Sequence, residues 1–104
     1  MLFIDGTPPN VKVISPNGGE IFSKKIKIQW LVSDNKDSFP KVEIDYSNNG
    51  GISWYSVDEV YGISDYMWNT SSLEDGKDYL IRISATDNAG NSNDDVSDSP
   101  FTIR

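Results

Sequence analysis

Apolar and polar residues alternate along most of this 104-residue chain. The clearest run is Ile26, Ile28, Trp30 and Val32, interleaved with Lys25, Lys27, Gln29 and Leu31. A period of two sends successive side chains to opposite faces of a strand, one buried and one wet. Val42, Ile44 and Tyr46 alternate with Lys41, Glu43 and Asp45 in the same way, and Tyr79, Ile81, Ile83 and Ala85 with Leu80, Arg82 and Ser84. Shorter strands are expected at Val11 to Val13, Ile52 to Val57, Tyr66 to Trp68 and Phe101 to Ile103. No segment carries a helical period.

Turn residues punctuate these runs. Pro16-Asn17-Gly18-Gly19 separates the first two strands, and Asp34 to Pro40 reads as a polar loop. Asn48-Asn49-Gly50-Gly51 predicts a tight hairpin, because these residues tolerate positive φ. Asp87 to Ser99 reads as one long polar loop before the last strand. The paired prolines in Asp5-Gly6-Thr7-Pro8-Pro9 exclude a helix, so residues 1–10 are expected to be a linker and 11–104 a domain. About seven short antiparallel strands with turns between them predict an all-β, two-sheet sandwich.

Composition narrows the function classes. The chain has neither cysteine nor histidine, which removes thiol nucleophiles, disulfides, zinc sites and the usual general base. Sixteen Asp and Glu against nine Lys and Arg give a formal charge of −7, so no basic footprint for nucleic acid is expected. Lys24, Lys25 and Lys27 cluster, and read as a solvated face. No apolar stretch is long enough to span a membrane, and Met1 to Ile4 lacks the build of a signal peptide. The chain reads as a fragment of a longer protein.

Specific motifs point further. Leu73-Glu74-Asp75-Gly76-Lys77-Asp78-Tyr79 resembles the tyrosine corner of immunoglobulin-like and fibronectin-III-like sandwiches, in which the tyrosine hydroxyl bonds the backbone upstream. Trp30 resembles the core tryptophan of fibronectin-III domains. Pro16-Asn17-Gly18-Gly19-Glu20, Ile28-Gln29-Trp30 and Tyr46 to Trp54, in that order, resemble Ig-like modules repeated in bacterial and archaeal surface proteins. The combination is similar to the Ser-Thr-rich, Knh-type Ig-like family. Ser47, Gly51, Ser53 and Trp54 also fit an Asp-box hairpin, with Asn49 where that pattern has Asp; the Asp-box is a fold device and implies no sialidase activity. The lead-in Asp5 to Pro9 and the Asp87-Asn88-Ala89-Gly90-Asn91 turn resemble tandem repeats of adhesins and cell-wall enzymes. The resemblance implies a non-catalytic module of a secreted or cell-surface protein, with neighbouring modules of the same chain as its partners.

Two ligand chemistries have residues to carry them. Sandwich topology brings the chain entry, the Asp34–Pro40 loop and the Asp87–Ser99 loop to one pole. There Asp5, Asp34, Asp37, Asp87, Asn91 and Asp94 could give calcium the six to eight oxygens it requires. The alternative is that Asp and Asn simply turn and cap solvated loops. Trp54, Tyr55 and Tyr61 could form an aromatic platform for a glycan or cell-wall polymer; the alternative is that these rings serve the core and the hairpin. Paired carboxylates also occur, as Glu43 with Asp45 and Asp58 with Glu59, but a glycosidase pair needs a cleft and a carboxyl of raised pKa. Solvated acids are the expectation there, and no enzyme.

Overall fold

A computed structural model describes residues 9–33, 41–87 and 90–104. It is an all-β sandwich of two sheets. Strands β1 (Asn10–Ser15), β3 (Lys25–Ser33) and β6 (Asp65–Asn69) form a three-stranded antiparallel sheet with β3 in the middle. The second sheet runs β2 (Ile21–Phe22), β9 (Phe101–Ile103), β7 (Gly76–Thr86), β4 (Lys41–Ser47), β5 (Tyr55–Tyr61), with β8 (Ser92–Val96) also on β7.

The alternation does what its period dictates. Ile26, Ile28 and Trp30 on β3 face Val42 and Ile44 on β4 and Ile81, Ile83 and Ala85 on β7, all closed off from solvent. Their lysine, glutamate and arginine neighbours point outward or lie half-buried. Aromatic rings fill the lower half of the core: Tyr46 lies 5.1 Å from Trp68 and 6.2 Å from Tyr79, and Tyr79 lies 6.0 Å from Phe101, centroid to centroid.

Five local expectations are corrected. The Asp87–Ser99 stretch is not one loop, because its middle forms β8, antiparallel to Arg82–Thr86 of β7. Backbone pairing makes this strand, and its side chains, polar but for Val96, concealed it. The hairpin's return strand starts at Tyr55 rather than Ile52, which stays in the turn. Nine strand segments are present among the described residues instead of about seven, since β8 and the two-residue β2 add to those expected. The strands are also not all antiparallel: β2 runs parallel to β9, Ile21 opposite Thr102 and Phe22 opposite Ile103. At the other boundary, β1 opens at Asn10, a position expected to belong to the linker.

The tyrosine corner is present. Tyr79 is buried, and its hydroxyl donates to the Glu74 carbonyl at 2.6 Å. Burial, followed by the nearby Tyr46, Glu74 and Asp75, holds its pKa above the usual tyrosine value. Tyr79→Phe keeps the ring and removes only this bond, so it should cost about 1–2 kcal/mol in chemical denaturation. An unchanged midpoint would show that the corner bond adds nothing to stability.

Candidate functional site

The hairpin between β4 and β5 builds its own frame from short polar side chains. Buried Ser47 accepts the Gly51 amide at 2.8 Å and the Asn49 amide at 3.3 Å through Oγ, and donates its hydroxyl to Asn49 Oδ1 at 2.8 Å. Asn49 Oδ1 also accepts the Ser53 amide at 2.9 Å. An amide oxygen thus fills the acceptor role that a carboxylate would take in the Asp-box pattern. Gly50 (φ 72°) and Gly51 (φ 97°) supply the left-handed backbone the turn requires.

That frame delivers Trp54 to the outward face of the second sheet. The Arg82 guanidinium lies 4.4 Å above the indole ring, and Arg82 Nη2 pairs with Asp45 Oδ2 at 3.3 Å. The stack covers one face of the indole with protein and leaves Arg82 Nε buried without a hydrogen-bond partner. Tyr61 stands on the same outward face, opposite Lys41 and 59% exposed. Tyr55 pairs with inward-facing Tyr46 and packs 5.3 Å from it, so it serves the edge of the core although it is 46% exposed. The three aromatic candidates therefore do not form one platform: Tyr55 and Tyr61 sit on opposite faces, and Trp54 lies under an arginine.

The same outward face carries three of the four paired acids, Glu43, Asp45 and Glu59, while Asp58 lies opposite inward-facing Ile44. Glu43 and Glu59 flank Lys41 at 3.2 and 3.7 Å, and Asp45 is bound to Arg82. Hydrogen bonding and charge from Glu43, then charge from Glu59, raise the pKa of the Lys41 ammonium. These carboxylates lie on an open sheet face.

At the pole, Asp87 is buried and organises its own turn. Its carboxylate accepts the Asn91 amide at 2.8 Å and Asn91 Nδ2 at 3.3 Å, while its own amide donates to Asn91 O at 2.9 Å. Asp94 is exposed on β8 opposite Ser84, away from that turn. Asp5, Asp34 and Asp37 lie outside the described residues. Among the described residues no group of three carboxylates is close enough to hold a metal ion. The chain entry does reach this pole, since Asn93 Nδ2 donates to the Pro9 carbonyl at 3.2 Å.

The polar residues with the longest reach hold roles that the sequence did not signal. Asp95 Oδ2 accepts the Val13 amide at 2.8 Å, tying β8 to β1 across one open side of the sandwich. On the other side the Asp58 carboxylate, on β5, accepts a hydrogen bond from Tyr66 on β6; this bond, with desolvation and the charge of Asp58, raises the tyrosine's pKa. Buried Ser97 accepts the Ile81 amide at 3.1 Å and donates to Pro16 O at 2.7 Å. An acid among other loop acids carries no signal of such a role, because the role depends on which backbone amide a β-bulge leaves open. Comparison with family models, curated proteins and solved structures found no match to this chain.

Proposed function

We propose that this chain is a non-catalytic structural or spacer module of a larger secreted or cell-surface protein, with an Ig-like or fibronectin-III-like sandwich. The observation that carries the reading is where the chain enters and leaves. Pro9 sits beside Asn93 at the pole where β7 ends, whereas Ile103 pairs with Gly76 at the pole where β7 begins. The eleven residues of β7 separate those poles by about 33 Å. A module entered at one end and left at the other spaces its neighbours along a line. The strand neighbours β1-β3-β6 and β9-β7-β4-β5 and the tyrosine corner support the Ig-like assignment, and the surface location rests on the sequence resemblance.

The carbohydrate-binding alternative loses its platform when Tyr55 and Tyr61 face opposite ways. Calcium at the entry pole would need Asp5, Asp34 or Asp37 to join Asp87. The first experiment is a pull-down against soluble and insoluble polysaccharides, together with melts in millimolar calcium and in EDTA. No retention on any polysaccharide is expected. Retention that disappears in Trp54→Ala would replace the spacer reading with a glycan-binding one. A melting midpoint several degrees higher with calcium would add a stabilising ion to the pole, worth about 2.7 kcal/mol at a hundredfold excess over its dissociation constant. Identical melts would leave the Asp87 turn to its own hydrogen bonds.

A further inference from the structure

The outward faces of the two sheets carry opposite charge. On the three-stranded sheet the register places Lys27 beside Met67, Lys25 beside Asn69 and Lys12 beside Leu31. Three lysines stand there against one acid, Asp65, in a chain whose formal charge is −7. Leu31 and Met67 lie between the lysines, 57% and 59% exposed. On the second sheet, Asp94, Ser84, Glu43 and Glu59 line up across four adjacent strands. With Asp45 this makes four carboxylates against two cations, and both cations, Lys41 and Arg82, are already paired within the face.

We propose that a second copy of this chain seats its carboxylate face on this lysine face. Stacked sheets pack about 10 Å apart, a gap that extended lysine and glutamate side chains cross, while Leu31 and Met67 give the contact an apolar centre. The contact is heterologous: each copy offers one face and leaves the other open, so it propagates instead of closing at a dimer. Three strands of six, nine and five residues, about 4.8 Å apart, offer roughly 320 Å² per partner. This is well under half of the roughly 800 Å² that a standard stable complex buries on each side. The association is therefore weak in free solution and gains when copies are tethered near one another. Net charge opposes it at long range, but salt near 0.1 M screens charges more than about 10 Å apart and spares the facing pairs. The proposal stands independently of the spacer reading.

The test is analytical ultracentrifugation at about 0.1 M salt and protein concentrations up to about 1 mM. The wild type is compared with Lys25→Glu/Lys27→Glu and with Glu59→Lys/Asp94→Lys. All four positions are exposed, and unchanged melting curves verify the fold; Lys27→Gln and Glu59→Gln serve if a reversal destabilises. The wild-type average mass should climb with concentration and fall back in about 1 M salt. Each variant alone should associate at least tenfold more weakly. An equal mixture of the two should associate again as the wild type does, because the intact lysine and carboxylate faces pair and the two reversed faces are complementary to each other. A wild type monomeric throughout, a reversal variant that associates like the wild type, or a mixture that stays monomeric would overturn the proposal.

Discussion

Trp30→Ala should lower the free energy of unfolding by about 3–5 kcal/mol, the largest single loss expected in this chain. Trp30 lies near the end of β3, opposite Val13 on β1, and is among the largest fully buried side chains. Truncation removes its contacts and leaves a cavity that two hydrogen-bonded sheets cannot collapse around. The indole Nε1 has no hydrogen-bond partner, so the loss is one of packing alone. Trp30→Phe should accordingly cost much less than the alanine variant. A domain of this size has about 5–15 kcal/mol of stability in total, so the alanine variant should melt far below the wild type. A urea titration should show the midpoint shifted with an unchanged slope. A loss under about 1 kcal/mol would mean that the ring is not packed as described.

Asp95→Ala should cost about 1.5–3 kcal/mol, the range for a hydrogen bond to a charged group. The Val13 amide that Asp95 accepts sits where the β1–β3 register shifts, so no strand partner can replace the carboxylate. Asp95→Asn keeps an acceptor and should recover part of the loss. Amide exchange at Val13 should accelerate most in the alanine variant, ahead of amides in the centre of β7. Equal protection of Val13 in wild type and variant would show that the β1–β8 tie is dispensable.

The sequence revealed those parts of the fold that a single strand encodes by itself. Burial of Ile26, Ile28 and Trp30 follows from period two, and the hairpin at Asn48–Gly51 follows from residues that accept positive φ. The Tyr79 corner was legible because its partner, Glu74, lies five residues upstream. Features that depend on a neighbour were hidden. β8 has almost no apolar signal, and the parallel β2–β9 pairing joins residues about eighty positions apart. The placement of the aromatic rings was hidden for a related reason. Alternation placed Trp54 and Tyr55 on opposite faces, but only the register with β4 shows which ring meets Tyr46 and which meets Arg82.

The parallel pairing of β2 with β9 has a bearing on how the sandwich would carry load. Thr102 donates to the Glu20 carbonyl at 2.8 Å, Arg104 to Phe22 at 2.9 Å, Gly19 to Pro100 at 3.0 Å and Ser99 to Asn17 at 3.1 Å. Tension applied at Pro9 and Arg104 draws these two segments lengthwise past each other, at right angles to their bonds. The four bonds are strained together and not opened one after another. A chain held at its two ends in this way resists stretching as a clamp does, up to a sharp yield point.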